Sequence, residues 1–330
     1  MLKKYTKNIA ESRDVAILST LIVILLRAVA FFTSTDVPDY DGGPLWVLIE
    51  PFFANRYISF FGSLIATFGI AFYITYLNGK YALIRGRTYL PFAFTLFLLS
   101  FSEIMAFMAP EYIGVILILY SIDQLFDAYQ QPLASRQAFK ISFSIALASL
   151  FVPGVLIYIP VFWIGFSYMR SNGFKIFLAS LMGIVMVLWI AMSVSFLLDK
   201  TDAVYASILV VWDSLKDVSI LQLDIDDILI LVLGTITFVI IVFDNYINGY
   251  KDKIRIRSNY SFLNLIAFSS ILIYLFLTLH MQICLITALA VSGLVLAHFF
   301  ALADKKWKVY FFIIIVLSYF GVYVHLLFND

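Results

Sequence analysis

A single cysteine, Cys284, excludes an intrachain disulfide and any multi-cysteine metal site, so Cys284 reads as a packed thiol. Histidine is almost as scarce. His280, His298 and His325 fall in three different apolar runs, the first and last toward one membrane face and His298 toward the other, which leaves no haem pair or polyhistidine iron site. No glycine-rich phosphate loop precedes a Lys-Ser/Thr pair, and no local signature of a Ser-His-Asp triad is present, which argues against ATP hydrolysis by this chain. Charge is sparse as well, at 13% of residues against about 25% in soluble domains. A net charge of +1, with the basic residues scattered among short loops, gives no nucleic-acid footprint.

Apolar residues fill that space: 63% of the 330 residues are hydrophobic, 18% are aromatic, and the mean hydropathy is +0.98. A helix crosses the hydrocarbon core with about 20 such residues. Runs of suitable character occupy 15–32, 57–77, 91–109, 113–122, 141–168, 176–198, 228–243, 261–279, 283–303 and 309–328, the short 113–122 run borrowing residues from both flanks to complete its span. The run 141–168 is too long for one span and is broken at Pro153-Gly154 and Pro160, so it reads as a short hairpin turning at Pro153-Gly154. Ala28-Val29-Ala30 mimics a signal-peptidase site, but Arg27 precedes it and Phe31-Phe32 extend the run, which makes the first segment a retained anchor.

Basic residues orient these spans. Lys3, Lys4, Lys7 and Arg13, then Lys80, Arg85 and Arg87, Arg136 and Lys140, Arg170 and Lys175, Lys251, Lys253, Arg255 and Arg257, and Lys305, Lys306 and Lys308 all become cytoplasmic if the N-terminus starts inside. Only Arg56, Lys200 and Lys216 fall outside, and Arg27 lies within a span. The expectation is one all-α, polytopic domain over 1–330, a transmembrane bundle of about eleven spans in a bacterial inner membrane, with the N-terminus cytoplasmic and the C-terminus external. Acids lean outward, among them Asp36, Asp39, Asp41, Glu50 and Glu111. The polar stretch 123–137 reads as an inner loop for partner contact.

Two external segments are more than turns. In 34–56, Asp36, Asp39 and Asp41 precede Gly42-Gly43-Pro44, and Pro44 opens a short interfacial helix. An EF-hand register would put Val37 and Leu48 where acids are needed and fails; a divalent cation on Asp36, Asp39 and Asp41 in another geometry stays open beside a plain solvated acidic loop. In 199–227, Val204, Ile208, Val211 and Leu215 recur at helical spacing, as in an amphipathic helix lying on the membrane or a lid over the spans.

Within the membrane, Arg27 and Glu103 fall at similar depth in two outgoing spans. Intramembrane charges of this kind pair, line a wet cavity or snorkel. Three readings follow: a structural Arg27–Glu103 bridge, Arg27 on an anionic headgroup or phosphate, or a snorkelling arginine.

Arg87-Thr88-Tyr89-Leu90-Pro91 opening a span, the 139–163 hairpin with its Ser149-Leu150-Phe151-Val152-Pro153 break, the basic 251–257 loop and the 298–308 segment together resemble a family of Bacteroidota integral membrane proteins known as a domain of unknown function. The likeness covers most of the chain, brings no assigned activity, and is broken by the extended acidic first outer loop. The architecture is also similar to that of the multi-spanning glycosyltransferases that use polyprenyl-phosphate sugars. That resemblance implies an external aspartate (Asp36, Asp39 or Asp41) as base or metal ligand, Arg27 or Arg56 as the phosphate contact, and membrane lipids and a polyprenyl-phosphate-linked sugar as partners. Competing classes are a transporter or flippase with Arg27 and Glu103 as gate or proton site, and a non-catalytic membrane subunit.

Overall fold

A computed structural model describes residues 12–33, 37–100, 103–197, 209, 225–248, 252–276, 281–301 and 306–329. The described elements are all helical, and no strand occurs among them. In chain order they are α1 (Arg13–Thr33), α2 (Pro44–Phe53), α3 (Arg56–Tyr81), α4 (Leu90–Leu98), a 3₁₀ turn (Glu103–Ala106), α5 (Pro110–Asp127), α6 (Ser135–Ser149), a second 3₁₀ turn (Pro153–Ile157), α7 (Tyr158–Tyr168), α8 (Phe174–Leu197), α9 (Ile225–Asn248), α10 (Ile254–Phe276), α11 (Met281–Ala301) and α12 (Lys306–Asn329). Six segments are long and apolar enough to cross a membrane: Arg13–Thr33, Arg56–Tyr81, Phe174–Leu197, Ile254–Phe276, Gln282–Ala301 and Trp307–His325. The amphipathic segment expected in 199–227 lies outside the described residues, apart from 209 and 225–227.

Burial sorts the six spans into a hub and a rim. The Gln282–Ala301 span is 89% buried, whereas those of α1, α8 and α12 are 22% buried. A helix that is apolar all round and buried is a core element; apolar helices with exposed faces suit a lipid surround. Around α11 pack α10, α4, α5, α9 and α3. Close approach is set by small residues: a Cβ on Gly293 would come 2.5 Å from Thr95 Oγ1, and one on Gly183 of α8 would lie 2.7 Å from the backbone oxygen of Phe139 in α6.

The 141–168 run turns back on itself as its proline and glycine imply. Helix α6 ends at Ser149, Val152 is extended, and Pro153 opens the 3₁₀ turn. Both ends of the excursion meet at its base, where the Gln130 N–H donates to the Met169 carbonyl at 2.8 Å and the Ser171 hydroxyl donates to the Ala128 carbonyl at 2.5 Å. Gln130 and Arg170 there both adopt positive φ, at 56°.

Two expectations need correction. The run 91–109 is not one helix: α4 stops at Leu98 after nine residues, and a 3₁₀ turn and extended backbone lead into α5. Unwound backbone inside an apolar bundle needs substitute partners. Arg27 donates to the Leu99 carbonyl at 3.0 Å, Ser63 to Ala106 at 2.6 Å and Tyr112 to Met105 at 2.6 Å, while Ser59 accepts from the Met108 N–H at 2.9 Å. The polar stretch 123–137 is not all loop: helix α5, whose short apolar run 113–122 is expected to borrow residues from both flanks, does so and runs from Pro110 to Asp127. Its polar end stays helical because Lys80 pairs with Asp123 at 2.9 Å and with Asp127 at 2.8 Å, and the Tyr81 hydroxyl lies 2.7 Å from Asp123 and 2.9 Å from Asp127. The connection to α6 therefore shrinks to 128–134.

Candidate functional site

Helix α1 turns Val23, Leu26, Arg27 and Ala30 inward, a spacing that places them on one face. Arg27 is thus carried into the bundle and is 2% exposed. Its Nη1 donates to Ser63 at 3.0 Å, Nη2 to Thr67 at 2.6 Å, Leu99 O at 3.0 Å and Tyr112 at 3.1 Å, and Nε to Ser100 at 3.4 Å. Ser63 and Thr67, four apart, share one face of α3 and present their hydroxyls together. Every nitrogen of the guanidinium therefore faces a neutral protein acceptor, and the planar fork ties α1, α3, α5 and the chain at Leu99 and Ser100 into one node. Glu103 begins the 3₁₀ turn that packs on α1, but its side chain lies outside the described residues, so the expected bridge to Arg27 does as well.

Above this node sits the acidic loop. Asp36 lies outside the described residues; Asp39 and Asp41 are exposed and flank Tyr40, which is buried. The loop is docked by backbone pairing: the Gly43 N–H donates to Phe151 O at 2.7 Å and the Leu45 N–H to Leu150 O at 2.9 Å. Pro44 opens α2, which buries Trp46 and leaves Val47, Leu48 and Phe52 on its exposed side. From α2, Glu50 returns toward the loop. Burial first, then the hydrogen-bonded Asp39 and the charges of Asp39 and Asp41, raise its carboxyl above the usual carboxylate range. Asp39, Asp41 and Glu50 thus form a carboxylate cluster, of which sequence reading marked the two aspartates and left Glu50 among the general external acids.

Arg56 is placed apart from Arg27. Its guanidinium lies 4.4 Å from the centre of the Phe31 ring and donates to the Phe31 carbonyl, fastening the start of α3 to the end of α1. Among the described residues no group of three His, Cys, Asp or Glu side chains is arranged to hold a metal ion.

Glu111, read from sequence as one of the outward acids, is 4% exposed, and Tyr112 beside it is fully buried. Tyr40, itself buried, lies near both; burial, then the proximity of Tyr112 and Glu111, push its phenol above the ordinary range. The only local signal for Glu111 was the Pro110-Glu111-Tyr112 helix start, which reads equally well as a solvated cap.

At the other end of the bundle, Asp252 lies 3.3 Å from His298 Nε2 and 3.2 Å from Arg85, and the Tyr260 and His298 rings are centred 4.2 Å apart. The hydrogen bond from His298, helped by the charges of Arg85 and Arg257, holds Asp252 below the usual carboxylate range against its burial. His298 is thus a loop clasp, while His280 lies outside the described residues. A cavity of about 40 Å³ opens between α9, α10, α11 and α12, lined by Thr235, Thr237, Ser270, Cys284, Ser292 and Tyr319 among others. Room for a few waters is all this offers. Arg27, Arg56, Asp39 and Asp41 take no part in lining it.

Comparison with known proteins returned no match among family models, curated proteins or solved structures.

Proposed function

We propose that the chain is a bacterial inner-membrane protein of about eleven crossings, N-terminus inside and C-terminus outside, that transfers a sugar from a polyprenyl phosphate to an acceptor at the outer face. The observation that carries this reading is the carboxylate cluster of Asp39, Asp41 and Glu50 on a docked loop beside an interfacial helix. Transfer needs a base for the acceptor hydroxyl and a cation for the departing phosphate. The exposed Asp39 or Asp41 serves as the base, and Glu50, with its greater hold on a proton, as the neighbouring acid. Arg27 has its donors committed to the protein, so the half-buried Arg56, close to the end of α1, takes the phosphate. A divalent cation bridging Asp36, Asp39 and Asp41 would add charge at the same place, and chelation tests that part separately.

The experiment is sugar transfer by the full-length protein in detergent, with polyprenyl-phosphate sugars as donors. Asp39→Asn or Asp41→Asn is expected to lower turnover by roughly 10²-fold or more with folding retained. Full turnover by both variants and by Glu50→Gln would remove the cluster from the chemistry. A transport reading draws on the unwound 99–109 segment around Arg27, since broken helices with liberated carbonyls form binding sites in transporters. It is distinguished by activity that needs sealed vesicles and disappears in detergent.

A further inference from the structure

We propose that Glu111 is a proton-binding site, loaded by way of Tyr40 from the face that carries Asp39 and Asp41. This is independent of the transfer chemistry above, because Glu111 lies beneath the acidic loop and takes no part in it.

The geometry begins with Pro110, which starts α5 and puts Glu111 in its first turn. Glu111 Oε2 is fully buried with no protein partner among the described residues. No described cation lies within ion-pair distance of it. The elements around it contribute Tyr40 from the loop and Tyr112 from α5 itself, with Arg27 beyond Tyr112; on the far side, α11 presents Ile283 and the second 3₁₀ turn Val155 against Gly114, one turn along.

A carboxylate in such surroundings is expensive to bury, and apolar walls leave protonation as the available compensation. A proton from water forms an O–H bond at Oε2, turning a bare acceptor into a donor, and returns to water on release. Tyr40 is the route: its neighbours Asp39 and Asp41 are exposed, its own ring is buried, and its phenol lies near Glu111. A phenol relays a proton by accepting on one side and donating on the other.

The test treats the full-length protein in detergent with dicyclohexylcarbodiimide, which reacts with protonated carboxyls in apolar sites, and locates the adduct by peptide mass. The expected result is an adduct on Glu111 that falls by about tenfold or more between pH 5 and pH 9, as the acid form is titrated away. Infrared titration should show a buried carboxylic acid band that is absent in Glu111→Gln, with its midpoint moved by about half a pH unit or more in Tyr40→Phe. No Glu111 adduct at any pH in folded protein, or one independent of pH, overturns the proton site. An unmoved midpoint in Tyr40→Phe overturns the route. Neither reading depends on sugar transfer, so failure here and failure of the transfer assay are separable.

Discussion

Arg27→Met is expected to abolish most of the folded yield, with a loss of stability on the order of 3 kcal/mol or more. Methionine restores the apolar volume but strands the hydroxyls of Ser63, Thr67, Ser100 and Tyr112 and the carbonyl of Leu99, all facing the position the guanidinium held. Arg27→Lys should recover little of this, because one ammonium cannot span acceptors arranged around a planar fork. Glu103→Gln separates two forms of the node. If Glu103 shares it, the double variant recovers yield lost in either single variant; additive losses assign Arg27 to the neutral scaffold alone. The measurement is monodisperse protein recovered in detergent and its thermal midpoint. Wild-type stability in Arg27→Met would contradict the node as the element holding 99–109 in place.

Gly43→Ala is expected to undock the acidic loop, destabilising it by about 1–3 kcal/mol. The added Cβ would sit 2.3 Å from Leu150 O, a backbone atom that cannot swing aside. Retreat of the loop would break the bonds from Gly43 to Phe151 and from Leu45 to Leu150. The neighbouring Gly42 gives an informative contrast: its Cβ meets Trp46 Cδ1 at 2.2 Å, a side chain, so relief there requires moving a buried ring rather than the hairpin backbone. Faster protease cleavage within 37–43 and a lower thermal midpoint are the expected readouts for Gly43→Ala. Unchanged cleavage would show that the loop does not depend on the turn after α6.

The helical architecture was legible because its signals are local. Apolar runs announced the spans, and Pro153-Gly154 announced the turn whose two ends close through Gln130 and Met169. The interruption after Leu98 was hidden for the opposite reason. Leu99 to Ala109 reads as more apolar span, and the groups that let it unwind lie far away in sequence: Ser63 is 36 residues from Arg27, Thr67 40 and Tyr112 85. The short run 113–122 showed that α5 needs its flanks, but the helicity of 123–127 depends on Lys80, 43 residues from Asp123. At the site, the exposed Asp39 and Asp41 were marked by their own charge, whereas the burial of Glu111 was hidden because only the fold brings Tyr40 near it. The hydroxyls at Ser63 and Thr67, four apart in an apolar helix, were the one readable hint of Arg27's surroundings.

Orientation of the bundle underlies both the outward acidic cluster and the proton route, and reporter fusions test it directly. Fusions within the acidic loop at Gly42 and at Thr201 should report the periplasm, and fusions after Gln131, Asn172 and Asn248 the cytoplasm. Gln131 and Asn172 must agree with each other because hydrogen bonds join 128–131 to 169–171. A cytoplasmic signal at Gly42, or opposite signals at Gln131 and Asn172, would contradict the account.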